Sequence, residues 1–349
     1  MIHRIDRRKL MIGTAVLGAG LSMPTILRAQ AKTLVAATFP GTWNEADTKV
    51  VGPAFKSATG AALTLSIILG GDQVSRLTAS KGNKPPFDVA FFDAPQVLDA
   101  VKDGLIMEYP VAQSPNFSGL IPKFQDKWGP KVTMQVIGIG YNPKKITTAP
   151  TSWDDLYDPK YKGRVGLTAL NSQLGIAFLA ELNRLKGGTE ENFDPAFKAL
   201  KELLPNVGAI GANLGAFATL WQQEQIDIAP YNFNFVQTLK AKDVPVEFAI
   251  PKSGAAGWET SMHIVAGAAE PELAVKYIDL HIDPAIQAQT MKPPFDAIPT
   301  SAKVPLAGEI TKSLAKTHDD LGKVKGFDWA KLNPQRGALI ERFNREIKV

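Results

Sequence analysis

Cysteine is absent from all 349 residues, and histidine occurs only four times. The first absence removes thiol nucleophiles, thiolate metal sites and disulfides, so a chain of this size must be held by hydrophobic cores alone. The second leaves His263, His281 and His318 once His3 at the N-terminus is set aside, and none stands in a spacing such as H-E-x-x-H. A G-x-S-x-G elbow, a Walker loop and a G-x-G-x-x-G fingerprint are missing as well. The sequence therefore predicts no catalytic residue, no metal and no cofactor, and it argues against an enzyme.

Long apolar runs are also lacking. The longest stretch near the N-terminus, Met11 to Met23, comes after a basic head of Arg4, Arg7, Arg8 and Lys9. At about 13 residues it falls short of the roughly 20 that a spanning helix requires. Ala29-Gln30-Ala31 then supplies a small-x-small cleavage pattern. This layout predicts a signal peptide over 1–31, cut after Ala31, and the Arg7-Arg8 pair points to the twin-arginine route into the periplasm. Four of the five net positive charges lie in this segment, so the remainder is near neutral and no nucleic-acid partner is expected.

The informative stretch of the remainder is Thr151-Ser152-Trp153-Asp154-Asp155-Leu156-Tyr157-Asp158-Pro159-Lys160-Tyr161-Lys162-Gly163-Arg164-Val165. Thr151 and Ser152 sit where a short helix would start, with Asp154 and Asp155 in its positive first turn. Asp158-Pro159 stops it, and Gly163 turns the chain into a strand from Arg164. Trp153 and Leu156, three apart, share the face that seats the turn.

The remaining segments alternate. Strands are expected over 32–38, 62–69, 88–92, 134–141 and 164–168, with a helix capped by Asn44 or Asp47 and ended at Gly60, and further helices from Gly70 to about Ser80 and over 94–101, 172–185, 195–204 and 214–225. Ile226 to Asn232 reads as a strand running into a loop, Gly254 to Val265 as an extended segment, and Ala269 to Asp279 as a helix. Such alternation predicts an α/β protein with largely parallel sheet, and the length is comfortable for two lobes.

Several of these stretches resemble one family. "TSWDDLYDPKYKGRV", "FKSATG", "DVAFFDA" and "AVKYIDLHIDPAIQ" are similar to segments of ABC-transporter substrate-binding proteins of the polyamine and ferric-iron type. The resemblance implies two α/β lobes with a ligand cleft between them, joined by crossover strands, the type 2 periplasmic-binding fold. It divides the chain into lobe 1 (32–138 plus 261–297) and lobe 2 (139–260 plus 298–349). It implies a monomer that closes on a small organic solute and delivers it to a membrane permease with its ATPase. A periplasmic sensor would have the same sequence features.

By the same resemblance the solute contacts are Phe39, Trp43, Gly71, Asp72 and Asp93 from lobe 1, and Asn171, Ser172, Gln173, Tyr231 and Asn232 from lobe 2. Trp258, Glu259 and Thr260 come from the crossover. Core packing is the alternative for Tyr231 and Trp258, and Trp221, inside a helical stripe, is assigned to the core. Aromatic faces and carboxylates suit a cationic ligand. The chain departs from polyamine binders in having Thr260 where an Asp is expected and no acid between Ala169 and Gly175. Iron binders present paired tyrosines, and here Asn232 comes next after Tyr231. A polyamine-like or other nitrogenous solute is favoured, with an amino-acid-like or anionic organic compound as the alternative.

Overall fold

The computed structural model describes residues 32–348; the expected signal peptide lies outside them. Nine strands form one sheet: β1 Thr33–Thr38, β2 Ala62–Ile67, β3 Val89–Asp93, β4 Lys131–Tyr141, β5 Val165–Thr168, β6 Val207–Gly211, β7 Ile228–Asn232, β8 Glu247–Ala249 and β9 Ala256–Ile264. Their order is β2-β1-β3-β9-β4-β7-β5-β6, with β8 added beside β4. β1 pairs in parallel with β2 and β3, and β5 pairs in parallel with β6 and β7. Between these two parallel flanks run the antiparallel strands β4 and β9. The first half of β4 pairs with β9 and its second half with β7 and β8, while β9 pairs with β3 over Thr260–Ile264. Two long strands thus carry the chain between two α/β lobes.

Local chemistry accounts for most elements. Gly60 takes the left-handed conformation that ends helix Gly52–Thr59 without the penalty a Cβ would bring, and its N–H caps the Lys56 carbonyl. Ser152 caps as expected: its Oγ accepts from Asp154 N at 3.1 Å, and Asp155 Oδ2 accepts from Ser152 N at 3.0 Å. The capped segment is a pair of 3-10 turns, Trp153–Tyr157 and Pro159–Tyr161, too short to be an α-helix. Trp153 packs on Phe178 with ring centres 5.2 Å apart. Arg164 then locks the start of β5 to the residue before β7 through a two-pronged pair with Asp227, at 2.7 and 2.9 Å.

Three expectations are corrected. Asp47 caps nothing: it lies in a π-turn, Asp47–Val51, between two α-helical pieces, and its carboxylate is buried. Thr38 Oγ1 and Tyr277 OH donate to it at 2.5 and 2.7 Å, and His281 Nε2 lies at 2.9 Å, so it ties β1 to helix Pro271–His281. The loop expected after β7 is a helix, Phe233–Lys240. Its opening "FNFV" alternates like a strand, and only the buried Phe233, Val236, Gln237 and Leu239 reveal the helical period. Strand β6 has no counterpart among the expected strands, because two glycines in five residues dilute its signal.

Candidate functional site

In each lobe the parallel strands end towards the other lobe, and loops beyond the carboxyl ends of such strands are where α/β sheets take ligands. Asp93 is the last residue of β3 and stands opposite Thr260 of β9. Thr260 Oγ1 donates to Asp93 Oδ1 at 2.8 Å. Burial pushes the Asp93 carboxyl up to about 6, against the opposing pull of Thr260, the Trp258 indole and the Arg336 guanidinium. The indole is near enough to favour the charged carboxylate, yet Trp258 Nε1 reaches no partner in hydrogen-bonding geometry. Phe39 and Trp43, beyond the end of β1, both pack on Phe91, at 4.6 and 5.5 Å between ring centres.

The opposite wall belongs to the loop after β5. Ser172 caps helix Gln173–Leu185: its Oγ donates to Ala169 O and accepts from Gly175 N. That hydroxyl is spent on the backbone. Asn171 offers its carbonyl and Gln173 its Oε1, and both accept from Arg336, at 3.1 and 3.0 Å. Gln173 Nε2 is buried without a partner. Arg336 is not among the residues expected from the sequence, although the sequence holds a signal for it. It is the first residue of the last helix, Arg336–Glu346, where the positive end of the macrodipole disfavours a cation. A residue that breaks a local rule marks a candidate site.

Other expected residues are placed differently. Consecutive strand residues point to opposite faces, so Trp258, Glu259 and Thr260 cannot all line one cleft. Glu259 faces away from Asp93 and pairs with Lys123 at 3.3 Å. It lines a cavity of about 290 Å³ together with Ser261, His263, Lys131 and Asp126, with Ala94 and Trp329 also in its wall. There Ser261 Oγ lies 2.7 Å from His263 Nε2, and His263 Nδ1 faces Trp128 O at 2.9 Å; burial pushes this imidazole down to about 4. Gly71 and Asp72 are exposed on the first turn of helix Gly70–Ala79.

Tyr231 lies in the lobe 2 core, fully buried and stacked between Trp221 and Phe235 at 5.9 and 6.1 Å. Its hydroxyl has no partner, and burial raises its pKa. Removing a buried, unpaired hydroxyl relieves a desolvation cost, so Tyr231→Phe should leave stability unchanged or raise it by up to about 1 kcal/mol. Urea denaturation measures this; a loss above that size would mean the hydroxyl has a partner in solution. Asn232 is buried beside it, with Nδ2 donating to Gln135 Oε1 at 3.4 Å and Oδ1 unpaired.

Among the described residues no group of three His, Cys, Asp or Glu side chains could hold a metal, and no helix is long and apolar enough to cross a membrane. A family model described as bacterial extracellular solute-binding protein matches residues 84–320. The spermidine/putrescine-binding periplasmic protein of Escherichia coli K12 is 24% identical over 262 residues, covering 71% of this chain and 73% of that one. The gamma-aminobutyric acid-binding protein of Pseudomonas aeruginosa is 23% identical over 287 residues, 80% of this chain and 79% of its own. An ABC transporter structure from Clostridium perfringens superposes with a TM-score of 0.75 at 21% identity, covering 90% of this chain and all of that one.

Proposed function

The chain belongs to the bacterial extracellular solute-binding proteins, and from that premise we propose that it captures a small organic solute bearing an alkylammonium group for an ABC importer. The observation that carries this reading is the Asp93 carboxylate, set at the junction of lobe and crossover with one oxygen held by Thr260. It supplies the acid missing at position 260 and in the 169–175 loop. Phe39, Trp43 and Trp258 add aromatic surface of the kind that favours a cation. The two relatives are named for ligands that share an amine, which supports the same choice.

The mechanism is a population shift. The lobes, bounded as 32–138 plus 261–297 and 139–260 plus 298–349, close about β4 and β9, and a solute touching both stabilises the closed form. No covalent chemistry is involved. The protein acts in the periplasm as a monomer after removal of the leader behind Ala31, and presents the closed form to a permease with its ATPase.

A thermal-shift and calorimetric screen of alkylamines, amino acids, carboxylates and sugars tests the reading. An amine at 100 times its Kd should add about 2.7 kcal/mol to stability. Binding confined to sugars or simple acids would overturn the ammonium assignment, and silence from every class would overturn solute capture itself.

A further inference from the structure

We propose that the solute carries an acid group at its other end and that Arg336 receives it, so that the ligand is a zwitterion with its ammonium towards Asp93. This rests on the assignment of Asp93 to the ammonium and extends it to the opposite wall.

Two opposite charges approach each other from different elements, Asp93 from the end of β3 and Arg336 from the start of the last helix. Each feels the other's charge, yet no ion pair joins them. The Arg336 hydrogen bonds go instead to neutral acceptors, Gln173 Oε1 and Asn171 O. A guanidinium has five N–H donors in a planar fork, so these two bonds leave room for a carboxylate or phosphonate. Burial penalises its charge and Asp93 only partly offsets this, so an anionic group bonded directly to the guanidinium would remove a remaining cost.

A neighbouring unpaired group agrees with this assignment. Gln173 Nε2, on the side chain whose Oε1 accepts from Arg336, is a buried donor without a partner. An oxyanion could use such a donor, whereas the second ammonium of a diamine could not and would meet the guanidinium as a like charge. The segment that presents Arg336 is fastened both beside Asp93 and to the chain that follows helix Gln173–Leu185. Asn333 Nδ2 donates to Pro95 O at 3.0 Å, two residues beyond Asp93, and Lys331 pairs with Glu191 at 3.0 Å. Gln335 Nε2 also donates to Glu190 O.

Because these fastenings could make Arg336 a strap alone, the test must separate recognition from bracing. Isothermal titration of the purified protein would use 4-aminobutanoate, 2-aminoethylphosphonate, 1,4-diaminobutane and n-butylamine, on the parent protein and on Arg336→Met and Arg336→Lys. At least one amino acid probe should bind the parent tighter than the diamine by about 10-fold or more, from the charge contrast at one end. Arg336→Met should weaken that probe by about 30-fold or more while n-butylamine changes by less than about 3-fold, and Arg336→Lys should fall between. A parent that prefers 1,4-diaminobutane would overturn the zwitterion and leave the ammonium reading intact. Equal losses for the acid-bearing probe and n-butylamine would make Arg336 a strap and overturn the proposal. No binding of any amine, with another solute class bound, would overturn both readings.

Discussion

Asp93→Asn should produce a protein that is more stable than its parent and binds an alkylammonium solute about 30-fold or more weakly, the usual cost of truncating one partner of a desolvated charge pair. The stability gain comes from the sign of the shift. Burial raises the Asp93 carboxyl from 3.8 to about 6, so the folded state binds its proton more tightly than the unfolded state does. Parent stability therefore falls as pH rises from about 4 to about 6 and stays lower above that. A two-unit shift corresponds to about 3 kcal/mol at most, and the residual exposure of Asp93 reduces this to about 1–2 kcal/mol. Asparagine removes the charge and keeps an acceptor for Thr260 Oγ1 and an acceptable residue at the start of helix Ala94–Lys102.

The binding side has its own pH signature. Only the ionised carboxylate attracts an ammonium, so parent affinity should drop about tenfold per unit as pH falls below 6, while the asparagine variant stays flat over the same range. The groups facing Asp93 are Thr260, Trp258 and Arg336, and none of them titrates there. Titrations of both proteins between pH 4.5 and about 8, the window spanning this shift, would measure the effect. Equal affinity of parent and variant at pH 7 would sink the assignment of Asp93 as the cation's seat.

Such a trade of stability for binding explains which parts of the site are legible in the sequence. Features written by neighbours in sequence can be read directly: Ser152 with Asp155, the stop at Gly60, the stripe of helix Gln173–Leu185. Asp93 enters as a candidate only through the family resemblance, although the end of β3 before helix Ala94–Lys102 is itself readable. The illegible parts depend on partners far along the chain. Asp47 looks like a cap until Tyr277 and His281, more than two hundred residues later, are brought to it. Arg336 sits in a polar tail whose meaning comes only from Asn171, Gln173 and Asp93. Glu259 is a different case: strand periodicity alone turns it away from Trp258 and Thr260.

The second large effect belongs to the crossover. Gly257→Ala should destabilise the protein by more than about 3 kcal/mol, since overpacking against backbone has no rotamer through which to relax. Gly257 lies on β9 opposite Val136 of β4, and a Cβ there would stand 2.0 Å from the Gln135 carbonyl oxygen. Relief requires β4 and β9 to separate, and these two strands carry the chain between the lobes. The loss should therefore appear in solute binding as well as in the urea midpoint. Gly71→Ala is the control: nothing lies within 4 Å of the new methyl, and the position is exposed in a helix. Alanine there should add about 0.5–1 kcal/mol by helix propensity alone. If Gly257→Ala matched the parent in both midpoint and affinity, β4 and β9 would have to be looser in solution than their close pairing implies, and closure about them would need another hinge.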